Sequence, residues 1–94
     1  MDESLNLERL GRLCRAAHAE LVEWVELGVL EVHGREQGPA GWRFDAEAVP
    51  RVAAIARLAR ELDLAPHAAA LVHDLLGERR RLECRVAMLE RLLR

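Results

Sequence analysis

The sequence predicts an all-α fold: a helix-turn-helix, then a loop or wing, then a C-terminal coiled-coil helix. Three observations predict it. Leu21, Trp24, Val25 and Gly28 fall at i, i+3, i+4 and i+7, the spacing of one helical stripe, and Gly28 can take the left-handed conformation that closes a helix. Between Glu31 and Gly41 this periodicity collapses into a stretch with three glycines and a proline. Leu82, Val86, Leu89 and Leu93 then step by four, three and four, the spacing of a coiled-coil seam.

Asn6 to Ala17 reads as the first helix, capped by Ser4 or Asn6, with Glu8 in its first turn and a buried face of Leu7, Leu10, Leu13, Cys14 and Ala17. Gly11 weakens its middle. A turn at His18-Ala19 leads into a second helix from Glu20 to Leu27. Two short helices so close together belong to the helix-turn-helix size class. Val29 and Leu30 re-enter the core. The segment 31–44 reads as a loop or two-stranded wing whose return strand is Gly41-Trp42-Arg43-Phe44, with Trp42 and Phe44 facing one side.

Asp45 is a candidate cap for the third helix, and Pro50 suits a helix that starts near Val49. That helix buries Val49, Val52, Ile55, Ala56, Leu58, Ala59 and Leu62 and turns Arg51, Arg57 and Arg60 outward. Leu64-Ala65-Pro66 is a break. The fourth helix, Pro66 to Leu76, carries Ala68, Ala69 and Ala70, which let another helix approach closely. Gly77 kinks or ends it, and Glu78 to Arg94 forms the coiled-coil helix. The stripe extends backward to Leu75, with Arg79 as a polar interruption. The expected organisation is therefore a helical domain over 1–76, with its loop or wing at 31–44, and a dimerisation or coiled-coil helix over 77–94. A stripe of Leu75, Leu82, Val86, Leu89 and Leu93 would otherwise stand exposed, so a homodimer is expected.

The totals narrow the function. A chain of 94 residues, about half of them hydrophobic, builds one core near the margin of independent stability, which favours self-association or a tight partner. No apolar run approaches the ~20 residues of a membrane span. The opening Met1-Asp2-Glu3-Ser4 is acidic and offers no export core, so the expected location is the cytoplasm. Cys14 and Cys84 belong to no paired-cysteine motif and read as small buried or half-buried fillers, able to form a disulfide only if their two helices touch.

Chemistry is scarce. His18, His33, His67 and His73 pair with no cysteine or carboxylate at metal-ligand spacing. There is no glycine-rich phosphate loop, and the one serine, Ser4, has no base and orienter. Catalysis, a metal and a cofactor are not expected. What remains is recognition by surface.

Taken together, the chain runs helix, turn, Trp24-Val25-Glu26-Leu27-Gly28-Val29-Leu30, loop, Trp42-Arg43-Phe44, long helix, Leu62-Asp63-Leu64, small-residue helix and coiled coil. This order resembles a MerR-like winged helix-turn-helix domain followed by its dimerisation helix. More closely, it resembles the chaperone-modulator family CbpM. The likeness rests on Leu27-Gly28-Val29-Leu30, on the return through Trp42-Arg43-Phe44, and on the helix Val52 to Leu62 leading by Leu64 into Leu71-Val72-His73-Asp74-Leu75-Leu76. It spans about Leu7 to Leu93. The turn Ala17-His18-Ala19 is shorter than the family's and lacks its glycine.

The resemblance implies a non-catalytic modulator without cofactor. It would bind the J-domain of a DnaJ-like co-chaperone of the CbpA type, inhibit its action with a DnaK-type chaperone, and reduce its DNA binding. MerR-type relatives instead dimerise through the last helix and bind operator DNA, so the alternative is a MerR-type DNA-binding transcriptional regulator. A homo-oligomer with only a scaffold role is a third class.

Charge separates these readings. Residues 1–50 carry ten acids and five arginines, a balance of −5, and residues 51–94 carry six acids and nine arginines, a balance of +3. The outward face of the second helix offers Glu20, Glu23 and Glu26. Carboxylates beside phosphates oppose binding, so nucleic acid is not the expected partner. With Glu31 they instead form an acidic face suited to the basic chaperone-binding helix of a J-domain. The alternative contact face is basic: Arg79, Arg80, Arg81 and Arg85.

Overall fold

The computed structural model describes residues 4–94, in which four α-helices form a helix-turn-helix-like bundle: α1 (Leu7–Cys14), α2 (His18–Glu26), α3 (Val49–Glu61) and α4 (Pro66–Leu92). The acidic opening Met1-Asp2-Glu3 lies outside the described residues.

Asn6 starts α1: its side chain accepts the backbone N–H of Arg9 at 2.8 Å. The helix buries Leu7, Leu10 and Cys14, a stripe at i, i+3 and i+7. Leu13 and Ala17, expected inside, are exposed. A helix this short meets its neighbours along one narrow stripe, and Leu13 falls off its edge. Arg15 ends α1 in the left-handed region at φ 55°. The chain then folds back so tightly that Ala16 N–H donates to the Gly11 carbonyl at 3.0 Å. A Cβ on Gly11 would stand 3.1 Å from the Ala16 oxygen. The glycine that weakens α1 is what lets the turn close on it.

Helix α2 begins at His18, earlier than the expected Glu20. Ala17 has no side chain to cap it. The Glu20 carboxylate substitutes by accepting the Ala17 N–H at 2.9 Å. Leu21, Trp24 and Val25 are fully buried. Gly28 closes the helix at φ +78°, and the N–H groups of Val29 and Leu30 both turn back to the Trp24 carbonyl.

The expected wing is not present. Among the described residues there is no β-strand, only two isolated antiparallel bridges, His33 with Arg43 and Leu5 with Phe44. The reason is local. Gly34 and Gly38 both take positive φ, and the chain between His33 and Arg43 coils through two 3-10 turns, Arg35–Gln37 and Pro39–Gly41. Two extended arms never run side by side. The return segment still places Trp42 and Phe44 on one side, both buried and edge-to-face at 6.3 Å between ring centroids.

Asp45 caps nothing with its side chain. A short 3-10 turn, Ala46–Ala48, precedes α3, and Pro50 sits in the first turn of that helix. Helix α3 packs between α1 and α4 with Val52, Ile55, Ala56 and Ala59 buried, while α2 packs on α1 and α4. Leu62, also expected inside, is exposed.

Helix α4 corrects another expectation. It runs from Pro66 to Leu92 without a break at Gly77. A Cβ at Gly77 would meet nothing nearer than the Arg81 guanidinium at 4.0 Å. No packing contact there bends the chain away from its helical course. At 1.5 Å per residue α4 is ~40 Å long. Its first turns bury Ala69 and Ala70 against the bundle. The radius of gyration is 16.1 Å. A compact domain of this length would have about 12 Å, so the free half of α4 sets the shape.

Candidate partner-binding surfaces

Three surfaces were expected to meet partners. The first is the acidic face of α2. Because Leu21, Trp24 and Val25 point into the core, the helical period turns Glu20, Glu23 and Glu26 away from it. Trp24 fixes the rotation of the helix further: its indole Nε1 donates to the Pro66 carbonyl at 2.8 Å, tying α2 to the start of α4. Glu20 and Glu23 are half-buried and Glu26 is exposed. Glu20 holds the helix start, and Glu23 stands 3.9 Å from His67 Nδ1 on α4.

Helix α2 contains no arginine or lysine. Among the described residues, no arginine forms an ion pair with Glu20, Glu23, Glu26 or Glu31. Three guanidinium groups of the bundle bind backbone carbonyls instead. Arg35 reaches the Val25 carbonyl at 3.5 Å. Arg51 donates to the Val29 carbonyl and pairs with Asp74 at 3.4 Å. Arg60 donates to the Arg15 carbonyl at 2.6 Å. These cations hold helix ends, where carbonyls are unpaired and the dipole is negative. None of these guanidinium groups pairs with a carboxylate of α2.

Glu31 lies beyond the helix end. It lines a cleft of about 430 Å³ with Asp45, Glu47 and Arg51, which none of Glu20, Glu23 and Glu26 lines. The structure thus divides the expected acidic face in two. Asp45 and Glu47 join the second part, a role that their place at a helix start does not reveal in the sequence. Asp45 also accepts from His33 Nε2 at 3.2 Å.

The second surface is the basic run on α4. Arg79 pairs with Glu83 at 2.9 Å and Arg81 with Glu78 at 2.6 Å, both within the helix. Arg80 and Arg85 have no such pair among the described residues. The third surface is the apolar stripe. Leu75, Leu82, Val86 and Leu89 are each 50–59% exposed and Leu93 is 87% exposed. Leu71 and Leu92, which seam spacing alone does not assign to the stripe, are at least as exposed as most of its members at 60% and 74%.

Neither cysteine is paired. Cys14 is buried, its Sγ 3.6 Å from the Val49 carbonyl oxygen, and burial raises its pKa. Cys84, expected to be buried or half-buried, is exposed: its helix has left the core by that point. Among the described residues no group of three or more histidine, cysteine or carboxylate side chains could hold a metal. No helix among them is long and apolar enough to cross a membrane.

No curated protein matches the chain. The sequence profile of a family described as "MerR HTH family regulatory protein" matches residues 5–91.

Proposed function

We propose that this chain, which belongs to the MerR HTH family of regulatory proteins, regulates by covering the surface of another protein. Its partner is the J-domain of a DnaJ-like co-chaperone of the CbpA type. It occupies the basic chaperone-binding helix of that domain and inhibits its action with a DnaK-type chaperone. One observation carries this reading. The second helix of the helix-turn-helix, which in a DNA reader enters the major groove, here offers Glu20, Glu23 and Glu26 and no cation. Carboxylates without a guanidinium partner at that place oppose phosphate and attract a basic helix.

The protein acts as a homodimer through residues 77–94 together with Leu75. Support comes from the exposure of Leu75, Leu82, Val86, Leu89 and Leu93 on a helix that has left the bundle. Its working compartment is the cytoplasm, where two unpaired thiols are stable.

A second reading, a MerR-type transcriptional regulator that binds DNA, is favoured by the family description itself. Calorimetry and sedimentation separate the two. The purified chain is titrated with a J-domain protein and, separately, with duplex DNA. The proposal expects saturable binding to the J-domain that weakens by roughly tenfold or more in the variant Glu23→Lys/Glu26→Lys. Binding to duplex DNA with a steep salt dependence, and none to the J-domain, would support the regulator instead.

A further inference from the structure

We infer that Leu27 and Leu71 form an apolar notch between α2 and the start of α4, and that the partner is a basic amphipathic helix which lays an apolar side chain into it. This rests on the reading above, in which the α2 face meets a protein, and adds what that surface holds besides charge.

Two ties set the end of α2 beside the start of α4. At one, Glu23 stands 3.9 Å from His67 Nδ1. At the other, Arg51 donates to the Val29 carbonyl, just past the end of α2, and pairs with Asp74 at 3.4 Å. From the first tie to the second, residue numbers rise along both segments, so the two run side by side in the same direction. Leu27 falls between Glu23 and Val29, and Leu71 between His67 and Asp74. The Leu27 N–H donates to the Glu23 carbonyl at 2.9 Å, which puts Leu27 one helical turn beyond Glu23 on the same face. Leu71 likewise follows His67 by four residues on α4. Each leucine is thus carried into the interval between the ties.

The bundle covers neither. Leu27 is 52% exposed and Leu71 60%, whereas Leu21, the other leucine of this stretch, is fully buried. Leu71 also precedes the far half of α4. It comes directly after the buried Ala69 and Ala70, where the helix still lies on the bundle.

Charge commits the occupant. Among the described residues no arginine pairs with Glu20, Glu23 or Glu26, and these carboxylates share a helix with Leu27. Acids one turn from an exposed leucine match a helix that carries cations one turn from an apolar side chain. The pitch agrees as well, because residues four apart on either helix are about 6 Å apart along its axis.

The two kinds of group act on different steps. Carboxylates attract the basic helix from a distance, and salt screens them. Leucines contribute only once covered, so they slow release and are indifferent to screening. Covering the open half of one leucine is worth roughly tenfold in affinity.

Binding kinetics of the full chain with a CbpA-type J-domain protein, at low and high salt, test the inference. Leu27→Ala and Leu71→Ala alter exposed side chains and leave the core intact. Each is expected to weaken binding by roughly tenfold through faster dissociation, by the same factor at both salt concentrations. Glu23→Lys/Glu26→Lys is expected instead to slow association and to flatten the salt dependence. Binding by the wild type with unchanged dissociation rates in both leucine variants overturns the notch and leaves the J-domain reading standing. No binding by the wild type overturns both. Sedimentation of Leu27→Ala alone covers the other occupant of suitable chemistry, a second copy of this chain. Unchanged self-association is expected, and its loss would overturn the inference.

Discussion

Trp24 is the largest fully buried side chain among the described residues, and its indole nitrogen reaches the Pro66 carbonyl at 2.8 Å. Its membership of the core stripe was legible in the sequence, because three- and four-residue spacing needs only local information. Its partner was not, because Pro66 is far along the chain and only the packing of α2 on α4 brings the two together. Trp24→Phe loses both ring volume and the hydrogen bond. We expect it to destabilise the chain by about 2–3 kcal/mol in urea unfolding, with the aromatic pair Trp42 and Phe44 intact. Cysteine reactivity is a second test at this scale. Cys84 is exposed, while Cys14 is buried with its pKa raised. A thiol reagent at neutral pH should label Cys84 promptly and Cys14 only when the chain unfolds.

At the scale of elements, the two short helices were readable because each signal sat within one turn: Asn6 before α1 and Gly28 after α2. The wing is absent for an instructive reason. Alternation at Trp42-Arg43-Phe44 is a true sign of extended chain, and those residues do bridge on both sides, to His33 and to Leu5. Strand pairing needs a second extended arm. Glycines in the left-handed region at 34 and 38 coil that arm into turns. Gly77 departs from expectation in the opposite sense. A glycine breaks a helix only when the backbone turns there, and nothing around Gly77 makes it turn. The continuity of α4 has a measurable consequence. Gly77→Ala has room for its methyl group and should stabilise the protein by about 1 kcal/mol in thermal unfolding, whereas a chain that turned at Gly77 would lose stability.

At the scale of the whole molecule, two features divide the labour. The head of the protein holds the core, and the far half of α4 holds none of it: the last buried residues in the chain are Ala69 and Ala70. Removing residues 77–94 should therefore leave a folded monomer. Its two tryptophans should stay shielded from quenchers in fluorescence, while sedimentation reports the loss of the dimer. The division between acidic head and basic tail was visible in the composition. Which carboxylates stay free of guanidinium groups was not. That depended on Arg35, Arg51 and Arg60 finding helix-end carbonyls, contacts made only when the helices come together. The charge of α2 is central to the proposed contact, and calorimetric titration of a CbpA-type J-domain into the wild-type chain and into Glu23→Lys/Glu26→Lys tests it most directly. The wild type is expected to bind, and the variant to bind with a dissociation constant at least roughly tenfold weaker. Equal affinity for the two proteins, or no heat of binding to the J-domain from either, would contradict it.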